Sequence, residues 1–141
     1  MTNKTVHVLL VDDDDVDVMA VQRAFRKHKI ANPVSVARDG IEALAMLRGT
    51  DGYTRLPRPF IVLLDINMPR MNGLQFLGEL RKDEEIQDAV VFILTTSKHD
   101  EDRAAAYKQH VAGYIVKTDV GSGFLELVDM LDSYWRIVEL P

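Results

Sequence analysis

The stretch Phe60-Ile61-Val62-Leu63-Leu64-Asp65-Ile66-Asn67-Met68-Pro69 decides how the rest of the chain is read. Five consecutive apolar residues follow Pro59, too few for a helix core and apolar at both alternating positions. A strand of that kind is covered on both faces, as in a parallel sheet. It ends at once in a carboxylate, Asp65. A charge at the end of a buried strand needs partners, so the question becomes what the remaining strands deliver beside it.

Working outward, four further short apolar runs stand at Val6–Val11, Pro33–Ala37, Ala89–Leu94 and Gly113–Val116. Segments with helical spacing separate them. Val18, Val21 and Phe25 line one face, then Ile41, Leu44 and Leu47, then Leu74, Leu77 and Leu80. Ala104, Tyr107 and Val111 give a weaker stripe, and Phe124, Leu127, Val128, Leu131, Trp135 and Val138 the longest. Five strands alternating with five helices make a doubly wound α/β sandwich. Helix starts are signalled by Asp14 or Asp15, Asp39-Gly40, Asn72-Gly73 and Gly121-Ser122. Gly49–Pro59 joins a helix end to a strand start, which places it at the sheet edge away from the strand C-termini.

Composition narrows the class. A chain of 141 residues is expected to hold one domain, spanning 1–141. The absence of cysteine excludes disulfides, a thiol nucleophile and a Cys-ligated metal. A net charge of −5 argues against nucleic acid or an acidic membrane surface as partner. No run approaches the ~18 apolar residues of a membrane span. Met1–Thr5 lacks the apolar core of a signal peptide, so a cytoplasmic location is expected.

In open parallel sheets ligands bind beyond the C-terminal ends of the strands. At those ends stand Asp12-Asp13-Asp14-Asp15 with Asp17, then Asp65, then Thr95-Thr96-Ser97, then Lys117. The fold therefore gathers carboxylates, a hydroxyl and an ammonium in one crevice. Crowded carboxylates repel unless a cation sits among them. All-oxygen donors favour Mg²⁺, Mn²⁺ or Ca²⁺ over zinc. Cation, lysine and hydroxyl around one carboxylate suit phosphoryl transfer, with Asp65 as nucleophile. Two readings stay open for Asp14, Asp15 and Asp17: members of the cluster, or a solvated acidic helix start favoured by the helix dipole.

The sequence Asp65-Ile66-Asn67-Met68-Pro69 with Asn72-Gly73 resembles the phosphoacceptor signature of bacterial response-regulator receiver domains. Leu9-Leu10-Val11-Asp12-Asp13, Leu94-Thr95 and Tyr114-Ile115-Val116-Lys117 resemble the family's acidic pair, its hydroxyl, and its switch aromatic with lysine. The resemblance runs over essentially the whole chain. It implies a flavodoxin-like (βα)5 sheet of strand order 2-1-3-4-5 and phosphorylation of Asp65 by a sensor histidine kinase. It implies Mg²⁺ held by Asp12, Asp13, Asp65 and the backbone carbonyl of Asn67. Lys117 would pair with Asp65, Thr95 would bond the phosphoryl group, and Tyr114 would turn inward behind it. The family's proline after the lysine is replaced by Thr118. A cis bond at a non-proline residue costs about 2.5–4 kcal/mol, so a trans Lys117–Thr118 bond is expected. Thr96 is larger than the residue many members carry there.

The loop Gly49–Pro59 and the segment Ser133–Pro141 resemble small stand-alone regulators that partner bacterial phytochrome kinases. On that reading Ser133–Pro141 is a short C-terminal extension of the fifth helix, and no output domain follows. Tyr134 and Leu140 fall outside the helical stripe, so exposed aromatic area and a homodimer through the fourth helix, fifth strand and fifth helix are expected, against the alternative that the segment folds back over its own sheet. The enzyme alternative is a Mg²⁺-dependent phosphatase with an aspartyl nucleophile. It wants a second carboxylate two residues on, where Asn67 stands. A flavodoxin-like phosphate binder is disfavoured by the aspartates after the first strand, which repel a phosphate.

Overall fold

The computed structural model describes residues 5–119 and 124–141. Its strands are β1 (His7–Val11), β2 (Val34–Ala37), β3 (Phe60–Leu64), β4 (Val90–Thr95) and β5 (Gly113–Val116). Its helices are α1 (Asp15–Lys27), α2 (Gly40–Arg48), α3 (Gly73–Lys82), α4 (Asp100–Lys108) and α5 (Leu125–Ile137), with a 3-10 turn at Lys117–Asp119. All strand pairings are parallel, in the order β2-β1-β3-β4-β5. The sheet is therefore the doubly wound one expected, with the apolar β3, which runs into Asp65, at its centre.

Two cores sandwich it. Successive side chains of a strand point to opposite faces. Leu9 and Val11 of β1 join Leu44, Leu47, Phe76, Leu77, Leu80 and Ala106 beneath α2, α3 and α4. Val8 and Leu10 join Val18, Val21, Phe25, Leu127, Val128 and Leu131 beneath α1 and α5. Asp14 caps α1, accepting from the Val16 and Asp17 amides, and Asp39 caps α2. Asn72 and Gln75 close a capping box on α3. The helix start expected at Gly121-Ser122 lies outside the described residues.

Several expected faces shift. Ile41 is 46% exposed, and α2 buries Ala43, Leu44 and Leu47 instead. α4 presents Ala106 to the core, leaving Tyr107 and Ala104 outside. Its only apolar residues besides Tyr107 are small, so the apolar pattern had little power to orient it. Met19 and Met130 are exposed. Tyr134, expected outside, stacks edge-on against Phe92 with ring centroids 5.0 Å apart. Trp135 lies 6.2 Å from Phe25, and Leu140 packs on the same core. The C-terminal segment thus folds back over its own sheet. Val138 caps α5 in an extended conformation and leaves the helical stripe, so it and Ile137 are exposed.

Candidate functional site

The site forms where β1, β3, β4 and β5 end. Hydrogen bonding continues one step past the strands: Asp12 N–H donates to the Ala37 carbonyl and Asp65 N–H to the Val11 carbonyl, each at 2.9 Å. That extra rung holds both aspartates side by side. Asp12 and Asp65 are buried, and Asp13 is exposed. Carboxylate oxygens of these three lie within 4.8 Å of one another. Two oxygens on opposite sides of a Mg²⁺ ion stand about 4.2 Å apart, so the group is near the right size for a small hard cation. With oxygen donors alone and one open, exposed side, the residues fit a partly hydrated divalent ion.

Lys117, just past β5, reaches into the same crevice. Its Nζ donates to Asp17 Oδ2 at 2.7 Å, Asp12 Oδ2 at 2.8 Å and Asp65 Oδ2 at 3.4 Å. Burial alone would lower the lysine's pKa, but the hydrogen bonds to Asp12 and Asp17 and the field of the carboxylates outweigh it, and the net shift is upward. Burial raises the Asp12 pKa, against the opposing pull of Lys117 and of the Asp14 amide, which donates to Asp12 Oδ1 at 2.9 Å. The Lys117–Thr118 bond is trans; among the described residues only Arg58–Pro59 is cis.

The loop after β3 is tightly held. Asn67 N–H donates to Asp65 Oδ1 at 3.2 Å, which sets the Asn67 backbone against the carboxylate. Gly73 N–H donates to the Ile66 carbonyl at 2.9 Å. A Cβ on Gly73 would lie 2.4 Å from the Asp65 carbonyl oxygen, so only glycine lets α3 start this close. Arg70, at φ 61°, donates its Nε to Asp39 Oδ2 at 2.6 Å, tying this loop to the start of α2.

Thr95 is fully buried at the end of β4, its Oγ1 accepting from Ser97 N–H at 3.3 Å. Thr96 is exposed, and Ser97 takes the buried position. Ser97 Oγ donates to Asp102 Oδ2 at 2.6 Å, and Tyr114 OH donates to the Ser97 carbonyl at 3.0 Å. Burial raises the Tyr114 pKa, and the hydrogen bond to Ser97 opposes that shift.

Asp12, Asp13, Asp65 and Lys117 therefore converge as expected, with the Asn67 backbone adjoining. Thr95 and Tyr114 sit on the flanking strands. Three features escaped sequence reasoning: Asp17 as a partner of Lys117, the Ser97–Asp102 contact, and the Arg70–Asp39 clamp. Asp17 and Lys117 are 100 residues apart, and no local pattern distinguishes Asp17 from the aspartates before it.

Known proteins share this fold. The response regulator receiver domain family matches residues 8–128. Response regulator Rcp1 of Synechocystis is 33% identical over 135 residues, covering 95% of this chain and 92% of that protein. The Mn(2+)-bound form of Rcp1 superposes with a TM-score of 0.84 at 32% identity, covering 98% and 99% of the two chains. The phosphorylated cyanobacterial phytochrome response regulator RcpA superposes with a TM-score of 0.86 at 31% identity, covering 99% of each. With matches running nearly end to end in both sequence and fold, the chain belongs to the receiver domain family of two-component response regulators.

Proposed function

We propose that this receiver acts as a phosphorylation switch with Asp65 as its acceptor. The observation that supports it best is the meeting of Asp65 with Asp12, Asp13 and a buried ammonium at one sheet edge. In transfer from a phosphohistidine, an Asp65 carboxylate oxygen bonds to phosphorus as the P–N bond breaks. The bonding pair leaves with the imidazole nitrogen. Asp12, Asp13, Asp65 and the Asn67 carbonyl would hold Mg²⁺. When bound, that ion neutralises charge building on the phosphoryl oxygens. Lys117 offers a second positive charge whose own side chain is largely shielded from water, where it acts strongly. The Thr95 hydroxyl supplies a hydrogen bond to the phosphoryl group, and Tyr114 leaves the Ser97 carbonyl to turn inward. That movement would carry the signal to the surface around α4, β5 and α5.

The donor on this reading is a cytoplasmic sensor histidine kinase. The phytochrome regulator RcpA, matched over 99% of this chain, supports a bacterial phytochrome as that kinase. A homodimer through α4, β5 and α5 belongs to the same proposal. Exposed apolar residues on α4 and α5 available to it include Tyr107, Met130 and Ile137, since Tyr134 and Trp135 pack on their own core. No helix among the described residues is long and apolar enough to cross a membrane.

Intact mass spectrometry after acetyl phosphate and Mg²⁺ tests the acceptor. A single persistent phosphoryl adduct is expected on the native chain and none on Asp65→Asn. An adduct retained by Asp65→Asn overturns the assignment. Rapid turnover of acetyl phosphate without an adduct favours the phosphatase.

A further inference from the structure

An ammonium has three N–H donors, and Lys117 spends all three on carboxylates. The three bonds are unequal. Those to Asp17 and Asp12, at 2.7 and 2.8 Å, are full charge-assisted hydrogen bonds; the one to Asp65, at 3.4 Å, is at the limit. The lysine side chain is only 6% exposed, so water does not compensate a lost partner. Asp12 is fully buried and engaged by the Asp14 amide. Asp17 differs from both other partners. It stands outside the group of carboxylates that fits a cation, and its side chain is 24% exposed. It also lies in the first turn of α1, where the helix dipole favours a negative charge. Asp17 is thus the one partner that can give up Lys117 at low cost, because water and the helix start take its charge over.

We propose that Asp17 is a positioning residue that holds Lys117 withdrawn toward α1, so that the ammonium must leave Asp17 to engage a group carried on Asp65. The proposal rests on Asp65 being the phosphoacceptor. In the resting state Asp17 keeps the lysine from closing over Asp65 and leaves that carboxylate open to a cation and to the donor. In the occupied state it competes with the phosphoryl oxygens for the same ammonium. Asp17 therefore sets how strongly the switch favours its resting form.

The test is a titration with beryllofluoride in saturating Mg²⁺, followed by amide NMR of Asp65, Thr95 and Tyr114. Asp17→Asn should bind beryllofluoride about three- to tenfold more tightly than the native chain, as expected for removing one coupled partner. Asp17→Ser, compatible with a helix start, keeps the comparison available should the asparagine variant fold poorly. Asp15→Asn removes a neighbouring charge that does not touch Lys117 and should change the affinity less than about twofold. Asp17→Glu, which restores the carboxylate, should return at least half of the difference. Melting temperatures report any purely structural role of Asp17 separately. Equal affinity in Asp17→Asn and the native chain, weaker binding, or a gain matched by Asp15→Asn would each overturn the proposal. Failure of the native chain itself to bind beryllofluoride and to accept a phosphoryl group would instead remove the acceptor assignment beneath it.

Discussion

Lys117 is the residue on which the resting site balances. It faces three carboxylates in a crevice with little water, and removing one partner of a buried ion pair costs far more than the pair contributes net. Lys117→Ala should therefore lower the stability of the metal-free protein by about 3 kcal/mol. Mg²⁺ should recover part of that loss by replacing the missing positive charge, and denaturant unfolding with and without the ion measures both. The pH dependence follows from the raised pKa of Lys117. Folding holds this proton more tightly than the unfolded chain does, so its contribution is complete below the ordinary lysine value of 10.5 and disappears as pH rises above it. As pH rises above 10.5 the unfolding free energy of the native chain should fall more steeply than that of Lys117→Met. Asp13 gives the complementary experiment. It is exposed, so Asp13→Ala should leave the metal-free fold nearly unchanged while abolishing the rise in melting temperature produced by Mg²⁺. A normal rise in that variant would remove Asp13 from the ligand set.

The elements act on the site mainly through their ends. α3 begins against the backbone of Asp65, and the absence of a Cβ at Gly73 is what permits it. Gly73→Ala should cost about 2–3 kcal/mol, because the obstructing atoms are backbone and have little room to move. The same substitution should displace Asp65 and slow its phosphorylation more than the stability loss alone explains; acetyl phosphate kinetics below the melting transition separate the two. The capping box at Asn72 is an ordinary helix start by comparison, and Asn72→Ala should cost about 1 kcal/mol. At the far end of the chain, α5 is held by aromatic contacts on Phe25 and Phe92. Trp135→Ala should destabilise the isolated receiver by about 2 kcal/mol, less than a full core aromatic because Trp135 is only half-buried.

For the whole molecule the open matter is association. With Tyr134 and Trp135 half-buried against their own sheet, dimer formation would draw on exposed apolar residues such as Tyr107, Met130, Ile137 and Val138, of which Ile137 is 81% exposed. Sedimentation velocity over a concentration series should show a dimer weakened at least about tenfold by Ile137→Asp with Val138→Asp. It should also respond to phosphorylation, since both depend on one surface with two arrangements. A monomer at high micromolar concentration in both states would end the proposal.

Much of this molecule is legible in one dimension. The apolar runs around Phe60–Leu64, the helical stripes between them and the Asp14, Asp39 and Asn72 caps are local patterns set by backbone periodicity and hydrogen bonding. They suffice for the fold, and the rule that parallel strands present their C-terminal ends together suffices to gather Asp12, Asp13, Asp65 and Lys117. Tertiary structure decided what local patterns leave equal. Among the aspartates that follow β1, the path of α1 selects Asp17 to meet Lys117. For α4, whose apolar residues are mostly alanines, and for the end of α5, where the helix stops at Ile137, the rotation and the covering of each side chain came from the packed sheet. A periodic pattern specifies a face only where burying that face changes the free energy appreciably. Alanine stripes and helix ends change it little, and the neighbouring elements make the choice.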